Sequence, residues 1–99
     1  MMSNYLPSSF HDGVFQGVTI LGNDVEFLLS TASGKCFRLT LRKVDTLTVS
    51  NFREGNIILD VTVDVLDSGK LELSVNPSYG AEAVAVCDQV DYREVDPDA

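Results

Sequence analysis

The chain has no tryptophan, one histidine, two cysteines and only seven lysines and arginines. Each scarcity excludes something. A single imidazole with thiols at the distant positions 36 and 87 cannot supply the ligand set of a zinc site, and there is no C-x-x-C. Seven cations against fifteen carboxylates leave a net charge of −8. That balance argues against direct nucleic-acid binding, which depends on cationic side chains displacing counterions from phosphates. It equally disfavours anionic membrane surfaces. No apolar run approaches a membrane span. The opening "MMSNYLPSSF" has neither the cationic nor the apolar region of a signal peptide. The expectation is therefore a cytosolic protein with reduced thiols. No glycine loop suited to phosphate and no serine elbow is present, and no metal or cofactor is expected.

What is present is a folded β chain. Hydrophobic residues make up 44% of its 99 residues, enough for one domain spanning 1–99, with 1–9 and 95–99 expected to fray. No helix-length amphipathic stretch stands out. Short runs rich in Val, Leu, Ile and Thr are interrupted about every ten residues by turn chemistry. Gly22-Asn23 fits a two-residue hairpin. "TASGK" (31–35), "NFREGN" (51–56), "DSGK" (67–70) and "NPSYG" (76–80) mark further loops, the last consistent with Pro77 lacking a ladder donor. Seven strands follow, near 14–21, 24–31, 35–42, 44–50, 56–66, 70–75 and 82–94. The expected class is all-β, an antiparallel sandwich or partly closed barrel.

Alternation assigns the faces. In "NIILDVTVDVL", Ile57, Leu59, Val61, Val63 and Val65 share one face, and Asp60, Thr62 and Asp64 the other. Phe37, Leu39 and Leu41 point inward, leaving Cys36, Arg38, Thr40 and Arg42 outward. Val25, Phe27 and Leu29 point inward, with Asp24 and Glu26 outward. If "TASG" closes a hairpin, these carboxylates face Arg42 and Arg38, each pair contributing about 0.2–1 kcal/mol. Two runs read less cleanly: 14–21 mixes its faces, and 44–50 breaks between Val44 and Leu47 as a bulge would cause. In 82–94, Val84, Val86, Val90 and Tyr92 align, and Asp88 falls among them. Asp88 is then either bulged outward or partly buried with a partner. Cys87 reads as core.

His11-Asp12, in "PSSFHDGVF", is the first candidate site. A catalytic dyad needs a carboxylate on one imidazole nitrogen and a reacting group on the other. Neighbours in an extended chain point to opposite sides, so adjacency seldom builds that geometry. The structural alternative employs every residue: Phe10 anchors the segment, His11 bonds to backbone, Asp12 accepts within its own turn, and Gly13 supplies a permissive φ. Asp60 and Asp64 stand about 13 Å apart at about 3.3 Å per residue, too far to share an ion. With Glu72 they are expected on a solvated, carboxylate-bearing sheet face. Cys36, near two arginines, would need His11 as its base to act as a nucleophile.

"PSSFHDG" followed by short β runs, and then "VDTLTVSNFREGNIILDVTV", resembles a family of small bacterial β-domains. Its members open with a Pro-Ser-Phe-His-Asp-type motif and later carry an Asn-Ile-Ile-Asp-like strand. That family is similar to the immunity proteins of polymorphic toxin systems. The likeness covers roughly residues 7–65 and implies Phe10, His11, Asp12, Asn56 and Asp60 as signature positions. It implies a non-catalytic module that occludes a toxin.

Three readings of function follow. The first is that binding module, its acidic face (Asp60, Asp64, Glu72) meeting a basic protein partner. The second is a small enzyme or ligand-binding barrel in which His11 and Asp12 converge with Asp88 or Cys36. The third is a self-associating structural subunit, a homo-oligomer.

Overall fold

In the computed structural model, which describes residues 6 and 9–96, no described residue is helical and eight strands form one antiparallel sheet. They are β1 (Val14–Leu21), β2 (Asp24–Ser30), β3 (Cys36–Arg42), β4 (Thr46–Ser50), β5 (Asn56–Val65), β6 (Leu71–Tyr79), β7 (Glu82–Cys87) and β8 (Gln89–Val95). The all-β expectation holds, with eight strands where the sequence predicts seven. The order across the sheet is β4-β7-β6-β5-β1-β2-β3-β8.

That order forces the sheet to fold over. β7 runs into β8 through Asp88 alone, yet β7 lies next to one edge of the sheet and β8 is the other edge. β3 likewise leads into β4 through a bend at Lys43, whose φ is 52°. Because β3 pairs with β8 and β4 with β7, two bent strands turn the same corner side by side. The Asp88 N–H donates to the Arg42 carbonyl and the Asp45 N–H to the Val86 carbonyl, bridging the bend at 2.9 and 2.7 Å. The result is two halves, β4-β7-β6-β5 and β1-β2-β3-β8, enclosing one core. Phe27, Leu29, Leu39, Leu41, Leu73 and Val75 lie at its centre, fully buried. Ala83, Ala85 and Cys87 pave its β7 wall, beside their cross-strand partners Val75, Leu73 and Leu71.

The departures from simple alternation have local causes. In β1 the register skips Gln16, so the core side passes from Phe15 to Val18 and Ile20, which is why this run mixes its faces. In β5 the register shifts at Ile57/Ile58 and again before Asp60. Ile58 is therefore buried and Leu59 46% exposed, against the expectation of one shared inward face. Val61, Val63 and Val65 keep the expected side opposite Val75, Leu73 and Leu71, with Val65 63% exposed at the strand end. Pro77 is in β6 and not in a loop: it lies opposite Ile58 at that irregularity, where the ladder tolerates a residue without an N–H. In 82–95 the break at Asp88 resets the phase. Ala83, Ala85 and Cys87 face the core together with Val90, whereas Val84 and Val86 lie on the other side.

Cys36 is another correction. It shares a side with Arg38 and Arg42, but at the end of β3 it is 6% exposed, beside the Gln16 amide. At the chain ends, Leu6 packs against the core and Val95 pairs with Cys36. The rest of the expected fraying, at 1–5, 7–8 and 97–99, lies outside the described residues.

Candidate functional site

The His11-Asp12 segment sits where the two halves meet. β1 pairs with β5 only at Val14 and Phe15, opposite Ile57 and Asn56. Ahead of those pairs, residues 10–13 form a tight turn closed by Gly13 N–H to the Phe10 carbonyl. The turn extends the ladder along the irregular part of β5. Asp12 N–H donates to the Ile58 carbonyl, and Ile58 N–H to that of Gly13. The next carbonyl, Leu59, accepts from His11 Nδ1–H at 2.8 Å, so the imidazole stands in for a backbone donor. Phe10 plugs the core edge-on to Phe37, as the structural reading expects.

Two details of that reading are corrected. Asp12, not Gly13, carries the positive φ, at 63°. Gly13 is required for a different reason: a Cβ there would collide with the Ser30 carbonyl oxygen. Because Asp12 is left-handed, the adjacent side chains converge rather than diverge, and His11 Nε2 lies 3.5 Å from the Asp12 carboxylate. Both are more than half exposed. Neither Cys36 nor Asp88 joins them. Asp88 is exposed at the bend between β7 and β8, where Lys70 Nζ reaches it at 2.8 Å and Asp45 at 3.1 Å. The Lys70 ammonium pulls the Asp88 carboxyl below its ordinary range, and the two aspartates hold Lys70 above its own.

Asn56 organises the same corner. Fully buried, its Oδ1 accepts from the Arg53 and Ala81 N–H groups at 3.0 Å each, and its Nδ2–H donates to the Phe15 carbonyl at 3.2 Å. One side chain thus ties the 51–55 loop, the turn after β6 and β1 to the start of β5. A Cβ on Gly80 would strike that Oδ1. Position 56 enters the sequence reading only through the resemblance. A buried asparagine at a strand start has no periodic signature of its own.

The three predicted carboxylates do share a face. Asp64 stands directly opposite Glu72 on the outward side of β5 and β6, with Asp60 opposite Asn76 two pairs along. Asn76 Nδ2 donates to Asp60 Oδ1 at 2.7 Å. No cation pairs with any of the three among the described residues. The opposite half carries cross-strand ion pairs. Arg42 lies between Asp24 and Asp91 at 3.3 and 3.0 Å, and Arg38 lies 3.5 Å from Glu26, matching the expected cross-strand partners. Gln89 and Arg42 hold the Asp91 carboxyl below its ordinary range.

Among the described residues, two cavities at the surface bear on function. One, of about 510 Å³, is an apolar cleft between the second half of β1 and β4, lined by Gly17, Val18, Ile20, Leu47, Val49 and Phe52. Ile20 is on the core-facing side of β1 yet 67% exposed, because this cleft leaves it uncovered. The other, of about 310 Å³, is polar and lies on the β2-β3-β8 side. His11, Asp12, Cys36 and Asp88 line neither. Among the described residues, no three His, Cys, Asp or Glu side chains group within reach of one metal ion, and no helix is long and apolar enough to cross a membrane.

No protein-family model, curated protein or solved structure matches this chain.

Proposed function

We propose that this chain is a non-catalytic binding module that presents the outward side of β5 and β6 to a basic protein partner. The observation that carries the reading is the Asp64–Glu72 pair. Two carboxylates stand directly opposite each other, Asp60 lies on the same side, and no cation among the described residues offsets them. Like charges so placed work against the sheet by a few tenths of a kcal/mol, and a cationic partner reverses the sign of that contribution. The net charge of −8 extends the same field outward and steers encounter with a basic surface. The likeness to immunity proteins gives the partner a character: a toxin whose working surface is cationic and is covered on binding. A cytosolic setting accords with two free, buried cysteines.

The enzyme reading gains less support. His11 Nδ1–H is taken up by the Leu59 carbonyl at 2.8 Å, and Nε2 faces the Asp12 carboxylate at 3.5 Å. Nδ1 thus serves the turn, and no third group of a catalytic set stands beside the pair among the described residues.

The test is capture from the native host at low ionic strength, with the parent and with the triple variant Asp60→Asn/Asp64→Asn/Glu72→Gln. Affinity of the purified partner is then measured across salt concentrations. A cationic protein is expected, with a steep salt dependence and an affinity at least about tenfold weaker for the triple variant. No partner at any ionic strength, or one that binds both forms equally, overturns the reading. Sedimentation of the chain alone separates it from self-association.

A further inference from the structure

On the outward side of β3 and β8, two arginines stand directly opposite each other. The register pairs Arg38 with Arg93, so both side chains project to the same side of the sheet. Like charges there are unfavourable, and the neighbouring rows avoid the problem, since Arg42 is shared by Asp24 and Asp91. At the Arg38–Arg93 end, two guanidinium groups have one carboxylate between them, Glu26, 3.5 Å from Arg38 Nε. Arg93 is exposed and has no ion-pair partner among the described residues. Both arginines line the polar recess of about 310 Å³, together with the Thr40 hydroxyl side chain and Tyr92. A chain with seven lysines and arginines thus places three of them, Arg38, Arg42 and Arg93, around one cavity.

We propose that this recess binds a carboxylate, held between Arg38 and Arg93. Of the charged groups that line the recess, Arg38, Arg42 and Arg93 stand against Glu26 and Asp91, which leaves one positive charge uncompensated and matches a monoanion. The planar fork of each guanidinium fits the paired oxygens of a carboxylate, and Thr40 adds a neutral donor beside them. A phosphate dianion instead leaves surplus negative charge next to Glu26 and Asp91, on a protein already at −8. A charge clash left standing in the free protein, and relieved by a ligand, is the local inconsistency that functional sites carry. A small carboxylic acid and the acidic side chain of a peptide share this chemistry. This surface is separate from the β5–β6 face.

The experiment follows the arginine Nε–Hε signals of ¹⁵N-labelled protein at constant ionic strength and pH 7. The titrants are acetate, a capped peptide containing one Glu, and inorganic phosphate. Saturable shifts at Arg38 and Arg93 with a carboxylate titrant are expected. The affinity read at Arg38 should weaken about tenfold or more in Arg93→Gln, the effect of losing a charge-assisted hydrogen bond, and persist in Arg53→Gln, which removes the same charge elsewhere. Comparable saturation by acetate and peptide identifies a small-acid site. Peptide affinity at least tenfold above acetate identifies a peptide site. Unsaturable shifts, equal loss in both variants, or tighter binding of phosphate than of either carboxylate overturns the proposal. Without ligand, Arg93→Gln should melt at the parental temperature or above it. A lower melting temperature makes Arg93 a structural residue and also overturns the proposal.

Discussion

The two outward faces of this folded sheet handle charge in opposite ways. On β2, β3 and β8, acids and arginines are cross-strand neighbours, and most of the charge is cancelled within the face. On β5 and β6, Asp60, Asp64 and Glu72 have neutral or like-charged cross-strand partners. Cancelled charge fixes register; uncancelled charge projects a field. The difference assigns register-keeping to one half and reach to the other, on one continuous backbone.

The contrast depends on the corner that joins the halves, and the largest effect is expected there. Asn56→Ala removes the acceptor for two buried N–H groups and a donor to the Phe15 carbonyl. It should cost roughly 3 kcal/mol in urea unfolding. Gly13→Ala drives a methyl against the Ser30 carbonyl and should cost roughly 2 kcal/mol, which the same measurement reads. If both variants are neutral, the halves are held by the core alone.

Smaller changes test the faces. Asp64→Lys turns the clash with Glu72 into an opposite-charge pair and should stabilise by a few tenths of a kcal/mol while weakening partner binding. Destabilisation would mean that β5 and β6 do not carry the unfavourable pair. The weakest effect concerns acid. Asp88 and Asp91 are both held below the ordinary carboxylate value of 3.8. Their contribution is complete above that value and disappears as pH falls through their lowered folded values. Lys70 is raised above its ordinary 10.5, so its own contribution persists until strongly alkaline pH. Lys70→Met returns Asp88 to an ordinary value. The variant should lose less stability than the parent below pH 3.8, as chemical denaturation across that interval would reveal.

Strand runs, hairpin turns and the Asp24–Arg42 and Glu26–Arg38 pairs are legible in the sequence because they depend on period-two alternation and short loops. The carboxylate face of Asp60, Asp64 and Glu72 is legible for the same reason. Bulges hide the rest. One skipped residue at Gln16 or near Ile58 changes which neighbours face the core without any compositional mark. Pro77 reads as a loop residue, yet the irregular pairing opposite Ile58 accommodates it in a strand. Cys36 reads as exposed because its neighbours in β3 alternate cleanly, and only the packing at that strand's end covers it. Arg93 gains its meaning from standing opposite Arg38, a long-range pairing that no local window contains.

The two buried thiols give this architecture an internal clock. Cys36 is in one half and Cys87 in the other; both are out of solvent, and burial also holds the Cys87 thiol in its less reactive protonated form. An alkylating reagent can modify either one only during moments when its surroundings part, so the two labelling rates time the opening of each half independently. Equal rates would mean that the molecule opens as one piece, and unequal rates would reveal which half lets go first.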